Sequence, residues 1–218
     1  MHFKENRKMK KIWLYTIFFL TAGVSTVVIS ASASAEVSAE TAFIFNTLSF
    51  LIHGFLVMWM AAGFCMLEAG LVRSKNTTMQ CSKNIGLYSI AGVMYWLIGY
   101  NLMYSGVDGG WIGSPSPWGA ADPAVTADGF KADDGNVYAS GSDWFFQMVF
   151  VAAAGSIVSG TVAERVKVFS FFIFIVILTG IIYPIQGSWT WGGGWLSEMG
   201  FSDFAGSTIV HSVGGWAA

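Results

Sequence analysis

The sequence is short of charge. Only 11% of its 218 residues are Asp, Glu, Lys or Arg, against roughly a quarter in soluble domains. Too few ionised side chains remain to coat a water-soluble core, so lipid must cover much of the chain. A net charge of −2, with no basic stretch interleaved with aromatics, excludes nucleic acid as a partner. The two cysteines, Cys65 and Cys81, stand in no metal-ligand spacing and read as reduced structural thiols. Paired carboxylates and a nucleophile elbow are also missing. Gly192-Gly193-Gly194 lacks the Lys-Ser/Thr that a phosphate cradle requires. The sequence therefore reads as no enzyme and calls for no cofactor and no metal.

Apolar residues fill the space that charge leaves, at 54% of positions, with 18 Phe and 10 Trp suited to lipid-facing surfaces and interfacial belts. The N-terminus joins Lys4, Arg7, Lys8, Lys10 and Lys11 to the apolar stretch Ile12 to Ile29. Ala33-Ser34-Ala35 then precedes Glu36. Residues 1–35 read as a signal peptide, or as an uncleaved anchor, and either way the chain emerges outside near Glu36. Apolar runs follow at about 43–71, 84–104, 143–163 and 168–187, and a fifth opens at 203 and reaches 218. Each complete run has the roughly 20 residues a helix needs to cross about 30 Å of hydrocarbon. Alternation of period two is absent, which excludes a barrel. The fold class is all-α, a polytopic transmembrane helical bundle.

Basic residues orient it. Arg73, Lys75 and Lys83 share one connection and Arg165 and Lys167 another, whereas 106–142 holds five aspartates against the single Lys131. The positive-inside rule puts the basic loops in the cytoplasm and the long Gly/Pro/Asp loop outside. The expected location is the plasma or inner membrane, multi-pass, with the mature N-terminus outside.

Four residues stand out. His211 lies eight residues after Asp203, about 12 Å into a helix starting there. An imidazole at that depth either bonds to a neighbouring helix or faces a pathway, where it relays a proton or a small polar molecule. Asp203 reads as the helix N-cap and, compatibly, as negative potential at an outer vestibule. Trp191, within Trp189-Thr190-Trp191-Gly192-Gly193-Gly194-Trp195, is either an interfacial belt residue or a cation–π platform worth about 0.5–2 kcal/mol. Phe150 is about 10 Å into its span, near the depth of His211, and by itself reads as packing. Glu68 and His53 read as interhelical hydrogen-bond formers.

Three stretches carry a family resemblance. Gly63-Phe64-Cys65-Met66-Leu67-Glu68-Ala69-Gly70-Leu71-Val72-Arg73-Ser74-Lys75-Asn76, Ala163-Glu164-Arg165 and Asp203-Phe204-Ala205-Gly206-Ser207-Thr208-Ile209-Val210-His211 resemble motifs of the ammonium transporter (Amt/Rh) family. They occur in the right order from about residue 40 onward. The resemblance implies the first of two inverted five-helix repeats, truncated in the fifth helix, in a homotrimer with one pore per subunit. It implies ammonium as substrate, recruited at Trp191 and Asp203, Phe150 as a gate residue, and His211 as the first of two pore histidines. A PII-type regulator would meet the C-terminal part, which this sequence does not contain. Stopping in the fifth span, the chain as given would conduct nothing. An ammonium sensor with a downstream signalling domain, or another small-solute channel, stays open.

Overall fold

A computed structural model describes residues 37–120, 125–126, 129–130 and 137–218. The segment read as a signal peptide or uncleaved anchor, residues 1–35, lies outside the described residues. The chain divides into two compact units, Met1–Thr41 and Ala42–Ala218, and the packing below belongs to the second.

Four helices are long and apolar enough to cross a membrane: α1 Ala39–Leu71, α2 Ser74–Tyr104, α3 Ser140–Thr161 and α4 Val168–Ser188. Two short helices follow, α5 Trp195–Glu198 and α6 Val213–Ala217. A two-residue antiparallel ladder, β1 Val125–Thr126 with β2 Gly129–Phe130, lies in the long loop. The second span is longer than its apolar run at 84–104. It begins ten residues earlier with a 3-10 turn at Ser74–Asn76 and carries Lys83 inside the bundle, 5% exposed. Lys83 is therefore not a loop cation; a buried carboxylate, Glu68, stands beside it.

The helix α3 is the hub. Ala152, Ala153 and Ala154 are fully buried, and a Cβ on Gly155 would lie 3.3 Å from Ile175 of α4 and 3.4 Å from Leu87 of α2. Such small side chains let helices close on one another where lipid supplies no hydrophobic drive. Against this, α1 buries only Gly54 and Glu68. Trp59, Met66 and Leu71 are among its large apolar residues that stay exposed. A surface of that kind requires lipid or further protein rather than water. Gly54 admits Phe145, whose Cε1 would stand 2.7 Å from a Cβ there.

Each of α2 and α4 contains a π-turn, at Tyr95–Gly99 and Leu178–Ile182. Pro184 supplies a cause for the second. It cannot donate a backbone bond, and its ring crowds the carbonyl one turn back, so a widened turn relieves the clash. The two π-turns face each other. A Cβ on Gly99 would lie 3.1 Å from Pro184 Cγ and 3.2 Å from the Thr179 carbonyl, and one on Gly180 would lie 2.7 Å from Met94.

At the basic end, Glu164 joins the α1–α2 and α3–α4 connections. Its Oε1 accepts from Asn76 Nδ2 at 2.5 Å, the Arg73 backbone N–H at 2.9 Å and Arg73 Nε at 3.2 Å. Glu164 adopts φ 61° to do so. The Asn76 amide first, then the Arg73 backbone N–H, hold its carboxyl down at about 2.

Gly99→Leu should lower stability by about 1–3 kcal/mol through overpacking, whereas Gly141→Ala, with nothing within 4 Å, should be neutral or better; thermal unfolding in detergent compares them. A depressed carboxyl stabilises above its ordinary range and loses that contribution as pH falls toward about 2. Glu164→Gln should therefore flatten the acid limb of a stability profile between about pH 5 and 2, measured by fluorescence-monitored unfolding.

Candidate functional site

The chain that leaves α4 must turn twice before α6, and both turns are built from glycine. Gly193 has φ +75°. The Gly194 N–H donates to the Ser188 carbonyl at 2.9 Å, the Trp195 N–H to the Gly110 carbonyl at 3.1 Å, and the Gly109 N–H to the Gly193 carbonyl at 3.1 Å. Two loops thus pair backbone to backbone, an approach side chains would block.

This turn separates the tryptophans that sequence alone could only group. Trp189 and Trp195 join Trp111, which stacks on Trp195 at 4.6 Å, and Trp189 Nε1 donates to the Trp111 carbonyl at 2.8 Å. Trp191 instead turns inward. Its ring meets Phe150 edge-on, centroids 5.8 Å apart at 68°. Phe150 in turn meets Phe146 at 5.0 Å and 87°, and Phe146 meets Phe50 of α1 at 5.0 Å. Phe146 was not singled out from sequence, although its spacing of four from Phe150 puts both on one helical face.

Asp203 closes the second turn. Its Oδ2 accepts the Gly206 N–H at 2.6 Å, and its Oδ1 accepts those of Thr208 at 2.8 Å and Ile209 at 3.2 Å. Ala205 and Gly206 between them are left-handed, at φ 53° and 79°. A Cβ on Gly206 would lie 3.6 Å from Trp191 Cη2. Trp191 therefore leans over the turn that Asp203 holds, and Phe150 backs it from α3.

The expectation of a helix from Asp203 needs correction. Helical structure begins at Ser207 as a π-turn, Ser207–Ser212, before α6. The reason is the left-handed pair, which uses four residues to reverse the chain. His211 consequently sits about 6 Å along the helix rather than about 12 Å. The His211 backbone N–H donates to the Gly206 carbonyl at 3.0 Å, and its side chain is exposed while Ile209 and Val210 beside it are buried. Three residues on, Gly214 presses on α3, where a Cβ would lie 2.9 Å from the Ala154 carbonyl and 2.9 Å from Ile157. The structure thus brings Trp191, Phe150 and the Asp203 turn together and leaves His211 on an open face nearby.

Glu68 bridges helices. Its Oε2 accepts from Gln80 Nε2, from Asn84 Nδ2 at 2.8 Å and from Ser159 Oγ at 2.7 Å. Among the described residues His53 forms no interhelical hydrogen bond: its Nδ1 pairs with the Ser49 carbonyl of its own helix at 2.7 Å. Near the opposite end, Tyr100 donates its hydroxyl to Asp143 Oδ2 at 2.5 Å, which sequence gave no reason to expect.

Residues 48–218 match the model of the Ammonium Transporter Family. The chain belongs to the ammonium transporter family. A Synechocystis sp. protein named for ammonium transport is 42% identical over 202 residues, 92% of this chain and 43% of its own length. Ammonium transporter Amt2 of Archaeoglobus fulgidus is 39% identical over 178 residues, 77% of this chain and 36% of its own. Both relatives carry the name of ammonium transporter. Among solved structures, a protein described as a sensor Amt protein gives a TM-score of 0.66 at 34% identity, over 78% of this chain and 42% of its own. Saccharomyces cerevisiae Mep2 gives 0.65 at 21% identity, over 84% and 40%, a likeness of fold. The chain spans less than half the length of these relatives.

Replacing Asp203 by Ala orphans three backbone donors. Stability should fall by about 1–2 kcal/mol, with Asp203→Asn closer to the parent; urea or thermal unfolding in detergent reads the difference.

Proposed function

We propose that the protein moves ammonium across the cell membrane, with Arg73, Lys75, Arg165 and Lys167 on the cytoplasmic side and the Asp-rich loop outside. What supports this reading is the edge contact of Trp191 with Phe150, beside the turn that Asp203 holds. A π-face beside a carboxylate attracts a cation, worth about 0.5–2 kcal/mol from the ring. Stripping an ammonium ion of water costs far more than one ring returns. Ammonium is therefore recruited at Trp191 with Asp203, and it loses a proton at the Phe146–Phe150 layer. Ammonia and the proton then pass separately along His211. Potassium has no proton to give up and is rejected.

The whole protein is a homotrimer in this reading, and residues 1–35 are the signal peptide. A PII-type regulator is a partner of the whole protein in the same reading. The same fold occurs in the sensor Amt protein, so uptake rather than fold discriminates transport from sensing.

The test is methylammonium uptake by the full-length protein, with and without competing ammonium and potassium. Saturable uptake inhibited by ammonium but not by potassium is expected. Trp191→Leu should raise the half-saturating concentration about 2- to 30-fold, which is about 0.5–2 kcal/mol. His211→Ala should abolish discrimination against potassium; retained discrimination overturns the role of the histidine.

A further inference from the structure

Glu68 is 3% exposed, and its two oxygens differ. Oε2 is saturated by Gln80, Asn84 and Ser159, with Lys83 Nζ 4.0 Å away. Lys83 itself donates to the Ser159 carbonyl at 2.8 Å and lies 4.9 Å from the centroid of the Phe171 ring of α4. The knot is charge-balanced and ties α1, α2 and α3, so an interhelical lock accounts for Oε2 in full. It does not account for Oε1, which is buried and carries no hydrogen bond among the described residues. A buried acceptor without a donor is destabilising, and such groups call for an explanation.

Oε1 points where Gly160 leaves room: a Cβ there would be 3.7 Å from it. Glu68 also lines a cavity of about 650 Å³ between the ends of α1 and α3. Arg73, Ile157, Glu164 and Arg165 are among its lining residues. Ile157 is also the residue that Gly214 presses on, three residues past His211. From there to Glu68 the path along α3 is a single helical turn, Ile157 to Gly160.

Resting on the transport reading above, we propose that Glu68 is the proton-transfer station at the basic end of the bundle, where ammonia regains its proton. The proton that travels apart from ammonia binds Oε1. Ammonia in the cavity then attacks it with its lone pair. The O–H bond breaks, an N–H bond forms, and ammonium leaves toward Arg73 and Glu164. The carboxylate left behind is held by Lys83 and the three donors on Oε2, ready for the next proton. The titratable and charged groups around this station are Lys83 of α2, Cys65 of its own helix, and Arg73, Glu164 and Arg165 of the connecting loops. Glu68 acts on the departing substrate and not on recruitment at Trp191.

The network makes Glu68→Gln a sharp test. Three donors hold the amide oxygen at the Oε2 position and force the NH2 group into the Oε1 position, so an acceptor becomes a donor at constant shape. Methylammonium uptake is measured for the full-length transporter in liposomes, with internal pH varied. E68Q should lower the maximal rate at least tenfold at an unchanged half-saturating concentration and remove its dependence on internal pH, and Glu68→Asp should recover part of the rate. E68Q also strips Lys83 of its counter-charge, so E68Q/K83M is the control for folding. It should run monodisperse and remain as slow as E68Q. A wild-type rate in E68Q overturns the proposal, as does a wild-type rate in E68Q/K83M, which would leave charge imbalance as the whole effect. Absence of saturable uptake by the parent protein would instead overturn the transport reading, and this station with it.

Discussion

Inside a membrane no water satisfies a stray backbone N–H or C=O, so every interruption of a helix must bring its own hydrogen-bond partners. The organisation of this chain follows from that constraint. Where α4 gives way to α6, the first turn solves it by pairing with the Gly106–Gly113 loop and the second by the Asp203 carboxylate, which takes three N–H groups. The same turns that are hardest to satisfy are those that position Trp191. The proposed recruitment site thus sits on these turns, while the buried, alanine-rich middle of α3 stands behind it.

Carboxylates are handled in three ways, according to depth. Glu164 is a surface clamp, its charge favoured by an amide and an arginine. Asp203 is spent on backbone groups. Glu68 is buried with a lysine counter-ion and three neutral donors, the arrangement in which a lost partner is most costly. Of these three, only Glu68 keeps a buried oxygen, Oε1, without a hydrogen bond among the described residues.

Much of this was legible in the residues. Composition alone excluded a soluble domain, and the long apolar runs marked the helices α1, α3 and α4 to within a few residues. The limits are equally physical. Lys83 read as a loop cation because sequence cannot show that Glu68, fifteen residues away, neutralises it. A cap residue marks a helix start, which places the fifth span from Asp203, yet a reversal through two left-handed residues, Ala205 and Gly206, delays the helix to Ser207, and only coordinates reveal it. The tryptophans after α4 could not be assigned separate roles, since the glycines that turn the chain between them fix which ring points inward. Phe146 was hidden among eighteen phenylalanines, where spacing narrows the choice but burial makes it.

The facing π-turns of α2 and α4 carry a consequence for how such a sequence can change over generations. Each π-turn amounts to one extra residue wound into a helix. Here each insertion is seated on the other, with Gly99 against Pro184 and Thr179, and Gly180 against Met94 and Ile98. A single-residue deletion in either helix would leave its counterpart's bulge without a seat and rotate everything beyond it by about 100°. Descent should therefore tolerate drift in loop length far more readily than in the length of these two spans. Where one does gain or lose a residue, the compensating event belongs in the other.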